Sequence, residues 1–156
     1  MKYLSFEWTE PTTLAAELST PIKQVFLEFG HHGRPMFVTL WRPNGAGLRL
    51  HSEMHDVAER REVGVLSFNC VRVPPRDKTI VDLPAEFDHE ITVFKLIVQE
   101  SGTSAESGVI LKAGSHEIAV VAGAYPYSLA VSGALSVPHI FEPEYPIDRY
   151  TRVRIE

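Results

Sequence analysis

Cysteine is nearly absent from this chain. Cys70 is the single one in 156 residues, which excludes an internal disulfide and any multi-cysteine zinc centre. Cys70 sits in the apolar run VGVLSFNCVRV. No histidine or helix start lies beside it to make a reactive thiolate, so a buried, inert thiol is expected. Long hydrophobic runs are also missing. None approaches the roughly 20 residues of a membrane helix, and the opening MKYLSFEWTEP lacks the apolar core of a signal peptide. With neither disulfides nor an export signal, the expected location is the cytoplasm.

Positive charge is in short supply. There are 15 Lys and Arg against 20 Asp and Glu, a net charge of −5. That argues against general nucleic-acid binding, which needs clustered cations. The basic groups at Arg60–Arg61 and at Arg149, Arg152 and Arg154 are broken by acidic residues and read as solvated surface. Catalytic motifs are lacking as well. No G-x-S-x-G elbow, G-x-G-x-x-G fingerprint or phosphate loop occurs.

What the chain does have is alternation, the period of a strand. Val25, Leu27 and Phe29 share one face of PIKQVFLEF. Met36, Val38 and Leu40 share one face of PMFVTLW, and the GHHGRP between these runs predicts a hairpin. RPNGAG follows with Asn-Gly, a strong hairpin signal, and leads into GLRLHSE. Further strands are expected in Glu62–Val73, Glu90–Glu100, Gly108–Lys112, Glu117–Val121 and Tyr127–Gly133. Helix is scarce. Thr9–Ser19 is the better candidate, with Thr9 as cap and Pro11 in the first turn, and Met54–Val63 is a weaker one. ESGTSAESG, Glu100–Gly108, reads as a polar loop, and Arg72–Glu90 as a long irregular connection. Eight or so strands with short connections predict a mainly β fold. The expectation is one domain over residues 1–156, an antiparallel sandwich or barrel-like meander with one or two short helices, with α+β as the alternative. An extended Pro- and aromatic-rich C-terminal segment, 136–156, belongs to it.

Two places suggest chemistry. In GLRLHSEMHDV, His51 and His55 stand four residues apart. On a helix they would lie about 5–6 Å apart and share a metal, whereas on a strand they are about 13 Å apart and do not. The alternation of Leu48, Leu50, Ser52 and Met54 against Arg49, His51, Glu53 and His55 favours the strand. His31, at the GHHGRP turn, is a third ligand only if the fold brings it across. The second place is SVPHIFEPEYPIDRY, Ser136–Tyr150, together with AYPYS, Ala124–Ser128. Its prolines favour extended chain, and its aromatics alternate with carboxylates, which is interface chemistry. Tyr125, Tyr127, Phe141, Glu142, Glu144 and Tyr145 are the expected partner-binding residues.

The resulting expectation is a cytosolic, non-catalytic binding protein with no cofactor, acting by protein–protein contact. A small acidic neutraliser of a toxin or effector is its concrete form. The rival is a small-ligand or metal-binding enzyme that holds a divalent metal through His51, His55 and His31. A homo-oligomer also fits, because meanders leave edge strands unpaired.

Overall fold

The computed structural model describes residues 2–30, 33–133 and 141–155. Two sheets carry the chain, antiparallel except for one short strand. The first runs in the order β5 (Arg61–Val71), β4 (Gly47–Ala58), β3 (Pro35–Trp41), β2 (Gln24–Phe29) and β6 (Thr79–Asp82). The second runs β10 (Leu129–Gly133), β9 (His116–Ala122), β8 (Thr103–Ala113), β7 (Thr92–Glu100) and β11 (Thr151–Ile155). The short β1 (Lys2–Leu4) adds to β8 in parallel.

The alternation read from the sequence sets the core. Val25, Leu27, Val38, Leu40, Leu48 and Leu50 point inward from the first sheet. They meet Val93, Val109, Leu111, Ile118, Val120 and Leu129 from the second. A second cluster covers the opposite face of the β7–β8–β9 sheet. There Leu96, Ile110 and Val121 pack with Val63 and Val65 of β5 and with Tyr150 from the C-terminal segment. β8 is therefore enclosed on both faces.

The sequence reading missed that enclosure. Glu100–Gly108 is not a loop. Ser101 and Gly102, at φ 53° and 75°, make a tight turn, and β8 begins at Thr103. Its small residues fit a strand crowded on both sides, and its polar atoms are satisfied internally. Glu106, 4% exposed, takes hydrogen bonds from the Tyr3 hydroxyl at 2.6 Å and the Phe6 amide at 2.8 Å, and Lys95 Nζ lies 2.6 Å away. Burial works against its charge, but Lys95, Tyr3 and the Phe6 amide outweigh that and hold its pKa below 4.5. The same network fastens the N-terminus. Past it, Glu7 bridges to Ser67 of β5, so residues 2–8 close one seam between the sheets.

The helical expectations need correcting. α1 is only Leu14–Leu18, capped by Thr13, whose side chain accepts from the Ala16 amide. Thr9 and Pro11 lie outside it. Five residues do not sustain a helix alone. α1 is held by burial of Leu18 and by an ion pair between Glu17 and Arg42 of the β3–β4 connection. Met54–Val63 is not helical: it forms the far end of the β4–β5 hairpin, where pairing along the whole of both strands overrides local propensity. Arg72–Glu90 contains β6 and a 3-10 turn at Ala85–Asp88. Phe29 leaves the core face because the register shifts after Glu28, and it is 44% exposed. Cys70 is half-buried against the core, and burial raises its pKa. No helix among the described residues is long and apolar enough to cross a membrane.

A candidate protein-contact surface

His51 and His55 both lie on β4, as the alternation required. His51 Nε2 is 2.7 Å from Glu53, and His55 Nε2 is 2.8 Å from Glu7, so each has a different carboxylate partner. His31 lies outside the described residues. Among the described residues no three His, Cys, Asp or Glu side chains gather to hold a metal ion.

The aromatic and acidic residues divide into two groups. Tyr125 and Tyr127 sit in the connection from β9 to β10. The Ser128 amide donates to the Tyr125 carbonyl at 3.0 Å, Pro126 follows Tyr125, and Tyr127 has φ 64°. These are the marks of a type II turn, whose third position normally takes glycine or asparagine. A tyrosine there carries a backbone cost of about 1 kcal/mol or more. Its side chain recovers little by packing, because Tyr127 is 51% exposed.

Tyr125, 42% exposed, is held from two sides. The Arg34 guanidinium lies 3.9 Å over its ring. Arg34 Nη2 also donates to both Glu142 oxygens, at 3.2 and 3.1 Å. Glu142 belongs to the C-terminal segment, which runs beside the turn: the Ala124 amide donates to the Glu142 carbonyl, and the Glu144 amide to the Ala122 carbonyl, both at 2.9 Å. Three segments remote in sequence thus fix one exposed tyrosine.

The remaining residues turn inward. Phe141 and Tyr145 pack, partly buried, on the second core cluster. The Tyr145 ring stands 6.4 Å from that of Tyr150 and 4.5 Å beneath the Arg149 guanidinium. Burial, with Glu144 and Glu100 nearby, pushes the Tyr145 phenol well above its usual 10.0. Glu144 is partly buried, and its carboxylate accepts from the Gly64 amide at 3.0 Å. Burial raises its pKa from 4.5 to about 6, against the pull of that amide. Phe141, Glu144 and Tyr145, with Ile147 at the rim, line a shallow depression of about 360 Å³.

Arg34 escaped the sequence reading. It stands 91 residues before Tyr125 and 108 before Glu142, and nothing local marks it. Exposed Ile147 was also missed.

The fold and this surface define a two-sheet β protein that presents two exposed tyrosines from one loop, beside the Glu142 edge of the C-terminal segment. No protein-family model, curated protein or solved structure matches the chain.

Proposed function

We propose that this chain is a non-catalytic binding protein of the cytoplasm, and that it works by protein–protein contact through the Tyr125–Tyr127 turn and the adjoining Glu142 edge. The observation that carries this is Tyr127, an aromatic held at positive φ with half its surface in solvent. Backbone strain that packing does not offset is characteristic of binding sites. Tyrosine is a preferred interface anchor because it offers large contact area at small entropic loss. Arg34 and Glu142 pre-organise Tyr125 beside it, so less freedom is lost on binding. With a net charge of −5, the partner this surface suits is basic, and a toxin or effector to be neutralised is the form of partner we favour.

The test uses Tyr127→Gly, which removes the anchor and relieves the strain together. The protein is purified gently from its own host and examined by native mass spectrometry. The expected result is a stoichiometric protein partner on the wild type, lost from Tyr127→Gly, with the variant melting no lower than wild type. A partner retained equally by the variant refutes this surface. A variant that melts several degrees lower shows Tyr127 to be structural.

A further inference from the structure

Glu144 carries a carboxylate without a cation. One of its oxygens accepts from the Gly64 amide at 3.0 Å. The other has no partner among the described residues and is open to solvent. Arg61 and Arg149 approach the same corner, but both lean on Glu100, at 3.4 and 3.8 Å. Glu62 adds a further negative charge nearby. Three carboxylates thus face two guanidiniums, and the charge left over is that of Glu144. A partly buried carboxylate without a counter-ion costs stability, and such groups concentrate at functional sites.

Glu144 also lines the shallow depression of about 360 Å³, whose remaining walls are Phe141, Pro143, Tyr145, Pro146 and Ile147. Phe141 and Tyr145 are held against the second core cluster, so the wall is fixed. Ile147 at the rim is 51% exposed, so the wall is within reach of a ligand. The depression continues the proposed contact surface, because Pro143 bridges to Gly123 at the entry to the Tyr125–Tyr127 turn.

An apolar wall beside one free carboxylate oxygen has a definite complement, a chain of methylenes that ends in a cation. Lysine is that side chain. Its stem lies along apolar surface while its ammonium keeps to a polar site, and a single oxygen satisfies an ammonium. Arginine presents a planar fork that pairs with both oxygens of a carboxylate, and here the Gly64 amide already holds one. At about 30 Å³ per water, the depression has room for about twelve waters, enough for a lysine side chain and the backbone that carries it.

We infer that this depression receives a lysine side chain of the partner protein, with its methylenes against Tyr145 and Ile147 and its ammonium on the free Glu144 oxygen. The inference deepens the protein-contact reading and rests on it: the basic partner presents a lysine beside the surface that meets Tyr125 and Tyr127.

The experiment titrates the whole chain with N-acetyl-lysine methylamide at neutral pH and constant ionic strength, followed by ¹⁵N-resolved NMR at the Gly64, Glu144, Tyr145 and Ile147 amides. The norleucine analogue, which keeps an alkyl stem and lacks the ammonium, and the arginine analogue are the controls. The lysine compound should give saturable shifts at these four signals, with both controls binding more weakly. Glu144→Gln keeps an acceptor for the Gly64 amide and removes the charge. It should raise the lysine Kd about tenfold, the loss expected for a hydrogen bond to a charged group, with the rest of its amide spectrum unchanged. Shifts that grow linearly without saturating, equal affinity for either control, or an unchanged Kd in Glu144→Gln overturn the inference. No partner protein takes part in this titration, so its failure leaves the protein contact standing, and failure of the Tyr127→Gly test does not alter its outcome.

Discussion

Replacing Glu144 with glutamine should stabilise this protein at neutral and alkaline pH and do almost nothing in acid. The carboxyl is partly buried between the C-terminal segment and the β4–β5 hairpin, and burial raises its pKa to about 6 from an ordinary 4.5. A carboxyl whose folded pKa is raised favours the native state while protonated. That contribution is fully present below pH 4.5 and is lost as pH rises through about 6. At about 1.36 kcal/mol per pKa unit, the gap corresponds to about 2 kcal/mol. Glutamine keeps an acceptor for the Gly64 amide and carries no charge to desolvate. Urea unfolding of wild type and Glu144→Gln at intervals from pH 4 to pH 8 should give curves that coincide at the acid end and separate by up to about 2 kcal/mol at the other. At this chain length the alkaline difference is a melting shift of about 4–8 °C. A difference independent of pH, or a glutamine variant less stable at pH 8, would show that Glu144 does not sit in the environment described.

Glu106 should behave with the opposite sign. Its pKa is held below 4.5, so its contribution is present above that value and is lost as pH falls through the folded pKa. Glu106→Ala leaves Lys95 without its partner and the Phe6 amide without its acceptor, and should cost about 3 kcal/mol at pH 7. Hydrogen exchange should show the Phe6 amide losing protection; unchanged exchange would refute the network's role in holding the N-terminus. Gly64→Ala should lower stability by about 1–3 kcal/mol through overpacking. A Cβ there would come within 2.5 Å of Ala122 Cβ and 2.8 Å of Ser52 Oγ, where β5 crosses the second sheet. Calorimetry showing an unchanged melting temperature would mean the sheets approach less closely.

Several features of this protein are legible in its residues alone. Period-two alternation in β2, β3 and the first half of β4 places Val25, Leu27, Val38, Leu40, Leu48 and Leu50 in the core, because a strand turns alternate side chains to one face. Asn44-Gly45 marks the β3–β4 turn, and the strand period separates His51 from His55. All of these are local consequences of backbone geometry. Tertiary structure decided the rest, for a different reason. β8 looks like a loop because a strand enclosed on both faces needs small residues and paired polar ones, and Lys95, Tyr3 and Gly64, which pair them, are remote in sequence. Phe141, Tyr145, Tyr125 and Tyr127 look alike in sequence, and only the tertiary structure packs the first two, partly buried, on the second cluster and leaves the other two exposed. Thr39 and Arg49 look like ordinary polar residues of a sheet face. Thr39 is nonetheless 0% exposed, which nothing in its neighbours in sequence shows. Period and turn chemistry are written in consecutive residues, whereas burial, pKa and the satisfaction of polar atoms depend on what distant segments bring to the same place.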